Sequence, residues 1–306
     1  MGDVKRHLYI GGYGPGVVTS SGELARLAAP SFLARHPSLP MIYAVGELAQ
    51  GWITAFSVRE GRLAPWDERS SDGDSPCHLA VHPSGAFLAV ANYGDGTAGL
   101  HRLDARGVFD GDPIVLRHQG SGPHPERQQG PHAHQAVFHD DLLHVSDLGT
   151  DQIRRYTLEG EALEPIALPP GTGPRHFAFA GPVLYVAGEL DGTVTRLAPG
   201  DDGIRVRAST AVTENAPSHL ELAGDLVYVA NRGPDTISVL RADDLSQVAE
   251  VPSGGHWPRH FAIDGDRMYV ANQYAGNVVE FALTDGVPEP TGEVIEVESA
   301  SCVLPA

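Results

Sequence analysis

The sequence has little from which a covalent framework could be built: its 306 residues include two cysteines, Cys77 and Cys302. So few thiols exclude a disulfide scaffold and a cysteine-ligated zinc site. Apolar runs are short as well, and none approaches the roughly 18 residues that a membrane helix requires. The opening stretch to Gly12 carries two basic residues but no apolar segment long enough for a signal peptide. A cytoplasmic protein without membrane association is therefore expected. Positive charge is scarce: 21 Lys plus Arg stand against 39 Asp plus Glu, a formal charge of −18. That balance repels phosphate backbones and disfavours general nucleic-acid binding. Arginines that converge against such a background are informative.

What the chain has in quantity is turn chemistry, with 36 Gly and 24 Pro. This suits many short strands joined by turns. A Pro, a nearby His and an apolar strand recur: Ser-Pro-Cys-His-Leu-Ala-Val at 75–81, Pro-His-Ala-His-Gln-Ala-Val at 131–137 and Gly-Pro-Arg-His-Phe-Ala-Phe at 173–179. The pattern returns at 216–222 and 257–263, and a copy without the His starts at Pro30. Pro30, Pro76, Pro131, Pro174, Pro217 and Pro258 are spaced by 46, 55, 43, 43 and 41 residues. A period of about 40–45 residues is that of one four-stranded propeller blade.

Each copy continues through a turn into a second apolar strand, such as Leu184-Tyr185-Val186-Ala187. That strand ends at a polar residue: Glu47, Asn92, Asp147, Glu189, Asn231 and Asn272 in turn. A third, alternating strand follows, and the fourth is too irregular to place. The segment from Glu23 to Ala29 fits a strand or a helical turn. Leu8–Tyr13 resembles a second strand and Ser301–Leu304 a first, so one blade shared between the termini would close the ring and remove its edges. The expectation is an all-β, seven-bladed propeller forming a single domain over 1–306.

In such a blade the first two strands are antiparallel. The start of the first and the end of the second then lie at the same mouth of the channel. Arg175 and Glu189, 14 residues apart, should meet there. The same reasoning brings His132, His134, Arg259, Cys77, Glu47, Asn92 and Asp147 to that mouth. His78, His134, His176, His219 and His260 share one register in this reading. Recurrence in most blades marks a residue that serves the blade, whereas His132 is an addition to the repeat. The residue before each recurrent His varies (Cys77, Ala133, Arg175, Ser218, Arg259), and variation at a ring position is where a site can be written. Two Arg can hold a carboxylate or phosphate; the structural alternative is an inter-blade ion pair. A carboxylate at 47 or 189 can act as a base if burial raises its pKa. Cys77 is read as a small thiol packed in a narrow throat. The longest spacer, with Arg127 in Gly120–Gln129, suits a loop over the mouth. No His-Glu-x-x-His or comparable spacing occurs, so neither a metal nor a cofactor is expected.

The run Pro125-Glu126-Arg127-Gln128, Gly130-Pro131-His132-Ala133-His134 and Ser146-Asp147-Leu148-Gly149-Thr150-Asp151 resembles the seven-bladed propeller form of 6-phosphogluconolactonase. Gly173-Pro174-Arg175-His176, Gly188-Glu189-Leu190 and Ala91-Asn92-Tyr93 continue the likeness across the chain. The same family includes the fungal carboxy-cis,cis-muconate cyclase, whose site of one His, two Arg and a Glu would fall on His134, Arg175, Arg259 and Glu189. The resemblance implies a lactonase acting on a sugar lactone. Arg175 and Arg259 would hold the anion and the developing oxyanion, Glu189 or His134 would be the base and His132 the acid. Glu47, Asn92, Asp147 and Arg127 would bind substrate. A lactone-forming cyclase and a non-catalytic binding scaffold are the alternatives, although the Gly-His…Trp-Asp signature of scaffold propellers is absent as a repeat. No Lys falls in the expected ring, so the resemblance favours lactone chemistry over a dedicated phosphate site.

Overall fold

The computed structural model describes residues 6–200, 203–208 and 214–306. The first five residues of the stretch read for a signal peptide lie outside them. The described strands form seven sheets of four strands, each antiparallel. The sequence-predicted propeller is the observed fold. In chain order, blades 1 to 6 have inner strands Leu33–Arg35, Pro76–Val81, Ala133–His139, Pro174–Ala180, Ala216–Ala223 and Pro258–Asp264. Blade 7 is the shared one: its inner strand Ala300–Pro305 pairs with Leu8–Gly12, bringing Tyr9 opposite Leu304 and Ile10 opposite Val303. The doubtful segment near the N-terminus contains the strand Leu24–Arg26, which ends this sheet.

Second strands such as Phe87–Asn92 and Val183–Gly188 are buried on both faces, because neighbouring blades cover them. They read as unbroken apolar runs for that reason. Between blades 5 and 6, Tyr228, Ile237, Val239, Phe261, Met268 and Phe281 pack as one cluster. Each large side chain so buried contributes roughly 1.5–3 kcal/mol. The fourth strands are the least covered, and Arg62–Ser70 has no buried residue. With only one edge paired and little burial, they show no periodicity a reader could use.

Six of the seven inner strands begin with an irregular pairing, the exception being Leu33–Arg35 of blade 1. In blades 2, 5 and 6 the pairing slips between Pro76 and His78, Pro217 and His219, and Pro258 and His260. Pro opens these strands because no ladder N–H is needed at that position. The residue after it is unpaired, and such a bulge re-aims its side chain. Cys77, Arg175, Ser218 and Arg259 occupy this bulged position in blades 2, 4, 5 and 6.

Blade 3 departs from the expected alignment. Ala133, not Pro131, pairs with Asp147, and Gln135 pairs with Ser146. Gln135 therefore stands where the other blades carry His, and His134 stands where they carry Cys77, Arg175 and Arg259. Function follows the register: Gln135 Oε1 accepts from the Phe177 N–H at 2.6 Å, while the Ala136 N–H approaches His78 Nδ1 at 3.4 Å. Four histidines share the recurrent register, and His134 is in the variable one.

Candidate active site at one mouth of the channel

The second-strand ends need the same correction. Pairing sets Asn92, Asp147, Gly188, Asn231 and Asn272 in one register. Glu47, Tyr93, Glu189, Arg232 and Gln273 lie one residue later, where their backbone N–H groups or side chains meet the strand entering the blade. A step of one residue along a strand reverses the face. The earlier position holds the blade together. Asn92 is fully buried and donates to Ser71 O at 3.2 Å and Thr97 Oγ1 at 3.0 Å. Asp147, also fully buried, accepts from His118 Nδ1 at 2.9 Å, the His132 N–H at 2.9 Å and the Gly149 N–H at 3.1 Å. Neither side chain presents a face to a ligand, which corrects their expected place among substrate-binding residues. Tyr93, Arg232 and Gln273 are the mouth residues that sequence reading missed.

The later position and the bulge converge on Glu189. Its Oε2 lies 3.0 Å from Arg175 Nε and 2.7 Å from Arg232 Nη2, and its Oε1 lies 2.6 Å from Arg127 Nη2. Arg127 comes from the long spacer, as expected of a loop over the mouth, and also donates to the Tyr93 hydroxyl at 3.0 Å. Gln128 anchors that loop through Leu148 O and Asp151 Oδ1, both at 2.8 Å. Asp151, at φ 55°, also accepts from the N–H groups of Gly171 and Gly173, in keeping with its reading as turn chemistry. Burial alone would raise the Glu189 pKa, but the guanidiniums of Arg232, Arg175 and Arg127 hold it well below the usual carboxylate range. The raised pKa that a Glu189 base would need is absent. Its geometry is that of an anchor that sets three guanidiniums.

Arg175 is nearly fully buried and its Nη1 also donates to Ser218 O. Burial and the charges of Arg232 and Arg259 press its pKa down, while Glu189 opposes them. Arg259 is the least committed guanidinium of the ring: it meets Gln273 Oε1 at 3.4 Å and lies 5.4 Å over the Tyr13 ring. The Tyr13 hydroxyl in turn donates to Glu47 Oε2 at 3.0 Å. Arg232 is braced by Ala216 O at 3.0 Å and by the Trp257 ring 5.4 Å away.

Two histidines complete the mouth. His134 is buried, and burial followed by the Arg175 charge drives its pKa well below the ordinary value, so the ring is neutral. Cys77 Sγ approaches His134 O at 3.2 Å, and burial pushes the thiol pKa up, consistent with a packed thiol. His132 is half-buried, stacks on Tyr93 at 4.6 Å, and places Nδ1 2.8 Å from Tyr93 O. A carbonyl oxygen only accepts, so Nδ1 carries the proton in this contact, and in that tautomer Nε2 is the accepting nitrogen.

Beneath this ring the channel closes. The cavity lined by Ser31, Glu47, Cys77, Arg175 and Arg259 has a volume of about 10 Å³, space for at most one water. Below it, Phe32 lies 4.0 Å from the His78 ring and 5.2 Å from His260, and His219 lies 4.1 Å from His260. The channel is thus plugged beneath the arginine ring.

The family described as Lactonase, 7-bladed beta-propeller, matches residues 14–305, and the chain belongs to it. Relatives in that family are named as lactone-hydrolysing enzymes. The chain is 31% identical over 284 residues to the 6-phosphogluconolactonase of Bacillus subtilis, covering 84% of this chain and 81% of that protein. It is 31% identical over 301 residues to the 6-phosphogluconolactonase of Formosa agariphila, covering 86% and 85% respectively. The solved structure of the Pseudomonas aeruginosa periplasmic gluconolactonase superposes with a TM-score of 0.89 at 25% identity, covering 98% of both chains. The resemblance noted from the sequence motifs is thereby confirmed.

Proposed function

We propose that this protein hydrolyses an anionic sugar lactone of the 6-phosphogluconolactone kind, at the mouth formed by Arg127, His132, Arg175, Glu189, Arg232 and Arg259. One observation carries the reading: four guanidiniums gather at one opening of a chain with a formal charge of −18, beside an imidazole with an accepting nitrogen. Arg259 and Arg127, the two more accessible cations, take the substrate's anionic group. Arg175 faces the lactone carbonyl, where charge develops as water adds. His132 Nε2 takes the proton from that water. The tetrahedral intermediate collapses with cleavage of the ring C–O bond, and the imidazolium returns the proton to the departing alkoxide. The product is the open-chain hydroxy acid. Glu189 keeps the guanidiniums in place, and His134 packs behind them as a neutral ring.

The relatives' printed names support this substrate class, and the mouth chemistry is compatible with it. A cytoplasmic setting is part of the proposal, although one structural neighbour is periplasmic. The test is hydrolysis of a panel of phosphorylated and neutral sugar lactones by purified protein, with Arg175→Ala and His132→Gln alongside. Undiminished turnover in both variants would remove the site. Loss of absorbance from muconate-type diacids without lactone hydrolysis would favour the cyclase instead.

A further inference from the structure

The far side of the channel plug holds a group that lactone chemistry does not use. Inner-strand residues two apart share a face, so each recurrent-register residue has a partner one level deeper. In the seven blades these partners are Ala34, Ala80, Val137, Ala178, Glu221, Ala262 and Leu304. Six are apolar and one is an acid. Among the described residues no Arg or Lys pairs with Glu221. Its contacts are His219 Nε2 at 3.2 Å from Oε1 and the Ile263 N–H at 3.1 Å from Oε2. His260, on the next inner strand, completes a cluster in which one ligand atom from each of His219, Glu221 and His260 lies within 4.8 Å of the others.

We propose that His219, Glu221 and His260 bind a divalent transition-metal ion, with zinc the best match, at the end of the channel opposite the arginine ring. Two imidazoles and a carboxylate form a donor set suited to zinc, cobalt or nickel and too nitrogen-rich for magnesium or calcium. Tetrahedral ligands on bonds of about 2.0–2.1 Å stand roughly 3.3 Å apart, close to the His219–Glu221 separation of 3.2 Å. The outer partners are in place as well. His176 Nδ1 lies 2.7 Å from His219 Nδ1 and can accept its proton when Nε2 faces the ion. The Ile263 N–H fixes the carboxylate. His260 is held more loosely, its Nδ1 meeting the Val303 N–H at 3.4 Å, so its ring can turn toward an ion. The Glu221 side chain is 30% exposed, so solvent reaches one side of the cluster.

The test is calorimetric titration of Zn²⁺ into chelator-treated protein, with Co²⁺ as a spectroscopic probe. One tight equivalent is expected, with a visible cobalt band typical of tetrahedral coordination. Glu221→Ala installs the residue that blades 1, 2, 4 and 6 carry at this level, so the fold should persist, and it should weaken binding at least 100-fold. His260→Gln should weaken it at least tenfold. Absence of the tight equivalent in the parent protein, or its survival in Glu221→Ala, would overturn the proposal whatever the fate of the lactonase reading.

Discussion

Replacing Glu189 by Gln tests whether this carboxylate is an anchor or a base. The change removes one negative charge shared by three guanidiniums, two of which, on Arg175 and Arg232, are nearly fully buried. Breaking a buried ion pair from one side costs about 3–5 kcal/mol, because the partner's charge stays in a poor solvent. At roughly 2–4 °C per kcal/mol for a large domain, Tm should fall by about 6–20 °C. Turnover should fall by about 10²–10³, the usual cost of losing a donor to the oxyanion. The pH profile separates the two roles. The folded pKa of Glu189 is depressed. Its ion pairs are therefore fully formed above the unfolded value and are lost only as pH falls through the lower folded one. Between about pH 5 and 9 Glu189 stays ionised in the folded and unfolded chain alike, and it adds no slope to the profile. The acid limb of kcat/KM should remain where it was in Glu189→Gln. Disappearance of that limb, with Tm unchanged, would refute the anchor and restore the base.

Other substitutions probe the remaining roles. His132→Gln should lower kcat by about 10²–10⁴, the range for a lost general base, with Tm little changed because the side chain is only half-buried; steady-state kinetics and a melt check both. Arg259→Ala should raise KM for phosphorylated lactones by about tenfold or more and leave neutral lactones nearly unaffected, as a comparison of the two substrates would show. Asn92→Ala should cost about 1–3 kcal/mol in denaturant unfolding, since Ser71 O loses its buried donor, with KM unchanged. Phe261→Ala, in the packing between blades 5 and 6, should cost about 3–5 kcal/mol without altering kcat/KM of the folded fraction.

Much of this was legible because a propeller repeats. The period marked out the blades, and hairpin direction alone brought Arg175 and Glu189 to one mouth, where they stand 3.0 Å apart. What escaped was a matter of single-residue register. Choosing the last polar residue of each second strand mixed two positions, so buried Asn92 and Asp147 were grouped with Glu189, while Tyr93 and Arg232 were passed over. Aligning blade 3 on Pro131 put His134 on the wrong face, although the residue that pairs there, Ala133, sits two positions on. Counting from the strand pairing, instead of from the conspicuous side chain, would have found all of these. The proposed metal-ligand cluster had a weaker signal: a lone acid at Glu221 in a row of otherwise apolar residues, with its second imidazole 41 residues from the first. The fourth strands had none, since nothing packs on them regularly enough to impose an alternation.

The shared blade has a consequence for how the molecule is made. During synthesis Ala300–Pro305 leaves the ribosome after all the other described strands of the propeller, at about 5–20 residues per second. Until it arrives, Leu8–Gly12 has an unfilled edge, and Ile10 lacks the cover that Val303 later provides. The nascent propeller is thus an open crescent with a sticky tip, and chaperone demand should peak just before this closing strand emerges.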